Sequence, residues 1–165
     1  MTAKGKIVWT LLPLILFLDQ ASKWIVDSTI PLNHSIPVIE GLFSLTYIRN
    51  TGAAFGILAG SSALFRLPFL ILFSLIAIVF IAVMLRRLPG SEKGLVVALT
   101  FILGGAVGNL IDRALYGEVI DFLDFYWSQY HWPAFNFADS FITLGVLGTL
   151  YGLIRAKGKD PFSSA

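Results

Sequence analysis

Asp121 and Asp139 stand beside apolar segments, where an ionised carboxylate is costly and a functional role is the default expectation. Two carboxylates brought close in a partly dry site do not readily both ionise, so one keeps a proton at neutral pH. Such a pair supplies a base that deprotonates water and an acid that protonates an oxyanion or a departing amine. Asn136 precedes Asp139 by three residues and Thr143 follows it by four, so all three share a helix face. Asn109 bears the same relation to Asp112 and Arg113. Taking Ala134 as the membrane boundary, a rise of about 1.5 Å per residue puts Asp139 roughly 7 to 8 Å into a helix. Asp121 lies in Gly117-Glu118-Val119-Ile120-Asp121-Phe122, a stretch leading back towards the membrane that would bring it beside Asp139. Asp124, three residues further on, reads instead as an exposed interfacial acid.

Composition narrows the remaining chemistry. The chain of 165 residues is 56% hydrophobic and 13% charged, with mean hydropathy +0.80, which exceeds what a soluble core needs. It reads as one membrane-embedded domain over 1–165. With no cysteine, disulfides, thiol nucleophiles and thiolate metal sites are excluded. His34 and His131 are far apart and outside any zinc-protease pattern, so neither a metal nor a cofactor is expected. The net charge of +2 comes from segregated loops, which gives nucleic-acid binding no support.

Four apolar segments, 7–26, 64–85, 95–111 and 134–154, each approach the roughly 20 residues a membrane-spanning helix requires. The first also resembles a signal peptide, with Lys4 and Lys6 ahead of an apolar run, but Asp19, Gln20 and Lys23 occupy the place of a small-residue cleavage site. Lys4, Lys6, Arg86, Arg87, Lys93, Arg155, Lys157 and Lys159 fall on one side of these segments. Eight of the ten carboxylates fall on the other. The positive-inside rule then makes both termini cytoplasmic and turns the polar helix ends outward. The outer loop, 27–63, contains an alternating run, 43–50, that predicts a short strand ended by Asn50-Thr51-Gly52. The aromatics of 112–133 predict a segment lying along the interface. The expected fold is therefore an integral membrane, mainly α protein of four transmembrane helices, with a small extracytoplasmic β element and an interfacial segment.

Plainer roles remain open for several of these residues. Asp19 and Lys23 have the spacing of an ordinary helix ion pair, and Arg113 could pair with Asp112, reach lipid phosphates or touch substrate. Gly104-x-x-x-Gly108 and Gly148-x-x-x-Gly152 read as helix-packing motifs. The strand 43–50 would cap the helices or cradle a peptide, with Asn50 offering amide contacts. Two other functions compete: a proton-coupled transporter, which would hold its acids nearer the bilayer midplane, and a serine/lysine peptidase using Ser22 and Lys23, whose adjacent positions do not face each other on a helix.

Five fragments in order carry a resemblance to the bacterial lipoprotein signal peptidases, or signal peptidase II. They are Asp19-Gln20-x-x-Lys23, Arg49-Asn50-Thr51-Gly52-Ala53-Ala54-Phe55, Gly104-Gly105-Ala106-x-Gly108-Asn109-x-x-Asp112-Arg113, Gly117-x-Val119-x-Asp121-Phe122 and Phe135-Asn136-x-Ala138-Asp139-Ser140. The resemblance implies an aspartic endopeptidase that removes the signal peptide from diacylglyceryl-modified prolipoproteins, just before the lipidated cysteine. It implies a bacterial cytoplasmic membrane setting, membrane lipid as a partner and inhibition by globomycin. The family's catalytic pair falls on Asp121 and Asp139, and its other polar site positions on Asp19, Lys23, Asn50, Gly105, Asn109, Arg113 and Asn136. Ile120 stands where valine is usual.

Overall fold

The computed structural model describes residues 2–52, 58, 60 and 62–155. Ala53-Ala54-Phe55 of the second motif, and Lys157 and Lys159 beyond the last helix, lie outside the described residues. Along the chain run α1 (Ala3–Thr29), β1 (Ser35–Ile39), β2 (Phe43–Asn50), α2 (Ala63–Arg87), α3 (Lys93–Tyr116), β3 (Val119–Trp127), β4 (Tyr130–His131) and α4 (Phe137–Arg155).

Helix α3 is the centre of the bundle and packs against the other three helices. Its small residues let it do so. A Cβ on Gly104 would meet Ile15 of α1 at 2.6 Å, and one on Gly105 would collide with the Ala138 carbonyl oxygen of α4. On the other side of that contact, Gly145 and Gly152 of α4 lie against Ala98 and Leu95. Close backbone approach through small residues is how helices associate where lipid removes any hydrophobic drive between them. At the other end of the bundle, Ile81, Leu85, Leu88, Leu95, Val96, Leu99 and Leu103 form a buried apolar cluster.

Helices α2, α3 and α4 are long and apolar enough to cross a membrane by length and composition, three among the described residues rather than the four expected. Helix α1, at 27 residues, is the longest, but its buried stripe of Ile15, Asp19, Lys23 and Val26 includes a charged pair. Polarity turned inward at Asp19 and Lys23 lowers its hydropathy. Helix α2 shows the opposite pattern, with Leu64, Phe65, Leu72, Phe73, Ile76, Val79 and Phe80 all exposed. An apolar exterior suits lipid rather than water.

The sheet is antiparallel, in the order β1-β2-β3-β4. The expected strand 43–50 is β2, but it is one of four. The segment expected to lie along the interface is largely β3 and β4: Phe122 is buried against Tyr47, Val26 and Ile30, while Trp127 and Tyr130 stay exposed. The aromatics of β3 suit a headgroup layer as well as a strand, which conceals the strand in the sequence. A second difference concerns helix α4, which starts at Phe137 instead of near 134. Phe135 is bridged to Leu123 of β3, with hydrogen bonds in both directions at 2.8 and 3.1 Å. Asp139 thus sits in the first helical turn rather than well inside the helix.

Candidate active site

The end of α4 is built around Asn136. Its side-chain oxygen accepts from the Asp139 backbone N–H at 2.9 Å, and the Asp139 carboxylate accepts from the Asn136 N–H at 3.2 Å. This reciprocal cap satisfies two of the unpaired donors at a helix N-terminus. A third donor, the Ala138 N–H, is taken at 2.9 Å by Asp19, reaching across from α1. With its oxygen committed, the Asn136 carboxamide nitrogen faces the other way and donates to Asp121 Oδ1 at 2.7 Å.

Asp121 is brought there by the sheet. It pairs with Ile48 in the β2–β3 register, so Asn50, two residues along β2, is its diagonal neighbour. The Asn50 amide donates to Asp121 Oδ2 at 2.9 Å, and the Asn50 oxygen accepts from Gly52 N–H at 2.9 Å. Asn109 of α3 donates to Asp139 Oδ1 at 2.8 Å. Both carboxylates are therefore held at both oxygens. Burial, and next the negative charge of Asp139, push the Asp121 carboxyl up to about 7. Taking a carboxylate out of water disfavours its charged form, and a like charge adds to that penalty.

Behind this pair lies a buried ionic cluster. Lys23 Nζ is 2.9 Å from Asp19 Oδ2, 2.9 Å from Asp112 Oδ2 and 3.0 Å from Asn109 Oδ1. Gln20 donates to Asp19, to the Gly108 carbonyl and to Asp112. Asp112 also accepts from the Ile120 N–H at 3.2 Å, which ties β3 to α3. Asp19 and Lys23 are a helix ion pair, as their spacing suggests, with Asp112 as a second counter-ion. Arg113 does not pair with Asp112: its guanidinium donates to the Asn109 and Gly52 carbonyls at 3.3 and 3.2 Å. Gly105 supplies no side chain to this region and acts through its contact with Ala138.

Gln20, Asp112 and Gly108 are additions to the expected site, although all three stand within its motifs. A Cβ on Gly108 would collide with Asp19 Oδ2, so this glycine makes room for a carboxylate as well as for a helix. The signal for Asp112 is its three-residue offset from Asn109. Asp124 corrects another expectation: it is buried, 7% exposed, with both oxygens 3.0 Å from His131 Nδ1. Ser22 Oγ donates to the Asp19 carbonyl at 2.8 Å, and Lys23 is occupied in the cluster, which leaves a serine/lysine pair without geometry.

Asp121 and Asp139 line one end of a cleft of about 810 Å³ between α2 and α4, with α3 as part of its floor. Leu70, Phe73, Ile102, Ile142 and Leu144 make its walls apolar, while Asn50, Asn109 and Arg113 join the carboxylates at the polar end. A mostly apolar cleft with a few convergent polar groups is the usual form of a binding site. Among the described residues, no group of three or more His, Asp or Glu side chains is arranged to hold a metal ion.

Residues 11–155 match the family described as signal peptidase (SPase) II. The chain is 56% identical over 140 residues to the lipoprotein signal peptidase of Geobacter sulfurreducens, covering 85% of this chain and 86% of the relative. It is 50% identical over 142 residues to that of Syntrophus aciditrophicus, covering 86% and 88%. Its backbone is similar to two solved structures, each described as a bacterial membrane enzyme. The TM-scores are 0.82 and 0.78, at 30% and 31% identity, with 93% and 92% of this chain and 90% and 94% of the other chains covered. A match that runs from within α1 to the end of α4 and spans both aspartates and the amides around them leaves one conclusion: the chain belongs to the signal peptidase II family.

Proposed function

We propose that this membrane peptidase is an aspartic endopeptidase that removes the signal peptide from diacylglyceryl-modified prolipoproteins, just before the lipidated cysteine. One observation carries the mechanism: Asn136 is bonded to both Asp121 and Asp139, so strand β3 and helix α4 aim two carboxylates at one end of an apolar cleft. One carboxylate, ionised, takes a proton from water as it attacks the scissile carbonyl. The other, protonated, gives its proton to the oxyanion or the departing amine. The apolar walls suit a signal-peptide helix and acyl chains, and globomycin would compete for the same space. Release of the signal peptide from a purified lipidated precursor tests this reading. Equal cleavage of the unlipidated peptide, or none of either, would refute it.

The reaction needs one proton on the pair. With burial and the charge of Asp139 pushing the Asp121 carboxyl up to about 7, the pair holds one proton up to near-neutral pH. Below that value the pair is half-protonated and competent; above it both members become anionic. The kcat/KM profile should therefore be high just below pH 7 and fall about tenfold per unit above it, as for loss of one essential acid. A rate unchanged from pH 6 to pH 9 would remove the shared proton of Asp121 and Asp139 from the mechanism.

No step in this scheme uses a metal. Dialysis against EDTA should leave the rate of signal-peptide release unchanged. A loss reversed by added zinc would overturn the scheme.

The placement we propose is the bacterial cytoplasmic membrane. All four helices cross, both termini are cytoplasmic, and the active site lies at the outer face. Helix α1 is long enough at about 1.5 Å per residue, and its buried Asp19 and Lys23 turn inward towards α3. Lys4 and Arg86 meet at the other end, where the ammonium donates to the Arg86 and Leu88 carbonyls at 2.9 and 2.7 Å. Reporter fusions after Lys93 should read as cytoplasmic, and fusions near Ser35 and Gln129 as external. Opposite signals at any of the three would overturn this topology.

A further inference from the structure

Lys23 lies outside the cleft and is 2% exposed, yet it is one bond away from a group that touches Asp139. A lysine ammonium has three donors and no acceptor. The three are accounted for by Asp19 Oδ2, Asp112 Oδ2 and Asn109 Oδ1. A carboxamide such as Asn109 has two ends of nearly equal shape and opposite hydrogen-bonding sense, so only its neighbours decide which way it points. On the oxygen side those neighbours are Lys23 Nζ at 3.0 Å and Asn136 Nδ2 at 3.2 Å, both donors. The Asn136 amide is itself fixed by the Asp139 backbone N–H. The Asn109 NH2 group is thereby turned to Asp139 Oδ1 at 2.8 Å.

We propose that Lys23 is a positioning residue for the peptidase reaction, a buried ammonium that sets the orientation of the Asn109 carboxamide and, through it, holds the Asp139 carboxylate in its working direction. This deepens the aspartate-pair reading and rests on it. Without the ammonium, the Asn109 oxygen keeps only the Asn136 donor, and the carboxamide is freer to flip. The flip then places an oxygen against Asp139, where two acceptors repel and the carboxylate turns away. The groups around this path are Asp19 and Gln20 of α1, Asp112 and Arg113 of α3, and Asp121 of β3. None of them supplies a second donor to Asp139 Oδ1 among the described residues.

Lys23→Met alone strands two buried carboxylates, so the variant to make is Lys23→Met with Asp112→Asn, which leaves the net charge of the cluster unchanged. The measurement is a cycle of kcat on a lipidated precursor peptide, with thermal unfolding in detergent as the check on folding. The paired variant should lose about 10- to 100-fold in kcat, the range for partners that orient a reacting group, with KM within about twofold. Combined with Asn109→Ala, it should lose no more than Asn109→Ala alone, because residues acting through one contact are not additive. A folded paired variant with undiminished kcat, or losses that multiply, would overturn the proposal. If the paired variant does not fold, side-chain NMR of the unaltered enzyme decides. One Asn109 amide orientation, protected from exchange, is expected, and averaging between two orientations would overturn it. Asp139→Asn measured alongside keeps the two ideas apart: cleavage by that variant would refute the aspartate pair whatever Lys23 does.

Discussion

Asp121→Asn and Asp139→Asn are each expected to reduce release of the signal peptide by about 10³-fold or more, while leaving the protein folded. That magnitude is what loss of a positioned acid or base removes. An amide matches the shape of the carboxylate but cannot pass a proton. In Asp121→Asn the new side chain can still accept from Asn136 or Asn50, which each donated to the carboxylate. In Asp139→Asn the oxygen can still accept from Asn109. Thermal unfolding in detergent should therefore move little, in contrast to the rate. Asp124→Asn is the internal control: Asp124 is in the same strand as Asp121, but its partner is His131 and it lines a separate, smaller pocket. It should keep most of the activity. A folded Asp121 or Asp139 variant that turns over at a tenth of the normal rate would exclude the pair as acid and base.

Gly105→Ala is expected to lower stability by about 3 kcal/mol, the upper part of the range for forcing a methyl group into a packed interior. The added Cβ would collide with the Ala138 carbonyl oxygen and stand 2.8 Å from Ile142. The first of these is backbone in the opening turn of α4, so relief requires α3 and α4 to move apart. That movement also separates Asn109 from Asp139, and cleavage should fall together with stability. Gly104→Ala is the comparison, because its Cβ meets the Ile15 side chain, which can change rotamer. It should cost about 1 to 2 kcal/mol. Unfolding midpoints of the two variants check the argument, and equal losses would show that the backbone collision is not what matters.

The strand 43–50 is legible without any structure, because alternation over eight residues has period two, and Asn50-Thr51-Gly52 ends it. β3 is not. Val119–Trp127 is largely apolar and aromatic, and what makes it a strand is its pairing with β2 on one side and with Phe135 on the other. The start of α4 is obscured for the same reason, since Ala134 and Phe135 are as apolar as the helix that follows. Asp124 reads as exposed because a lone acid in an aromatic segment gives no hint of His131, seven residues away, folding back over it.

Residue types and local spacing by themselves determined the membrane class, the apolar helices, the polar layer at one set of their ends and the candidacy of Asp121 and Asp139. These follow from burial cost and helical period, which act over a few residues. Tertiary structure alone decided which carboxylates share a site and which serve as counter-ions. Asp19, Asp112, Asp121 and Asp139 are similar acids in similar settings along the chain. Yet two of them neutralise Lys23 deep in the bundle and two share Asn136 at the cleft. Hydrogen-bond partners up to 119 residues apart draw that distinction. Every buried polar group must find a partner, but only the packing of α1, α3, α4 and β3 fixes which partner is within reach.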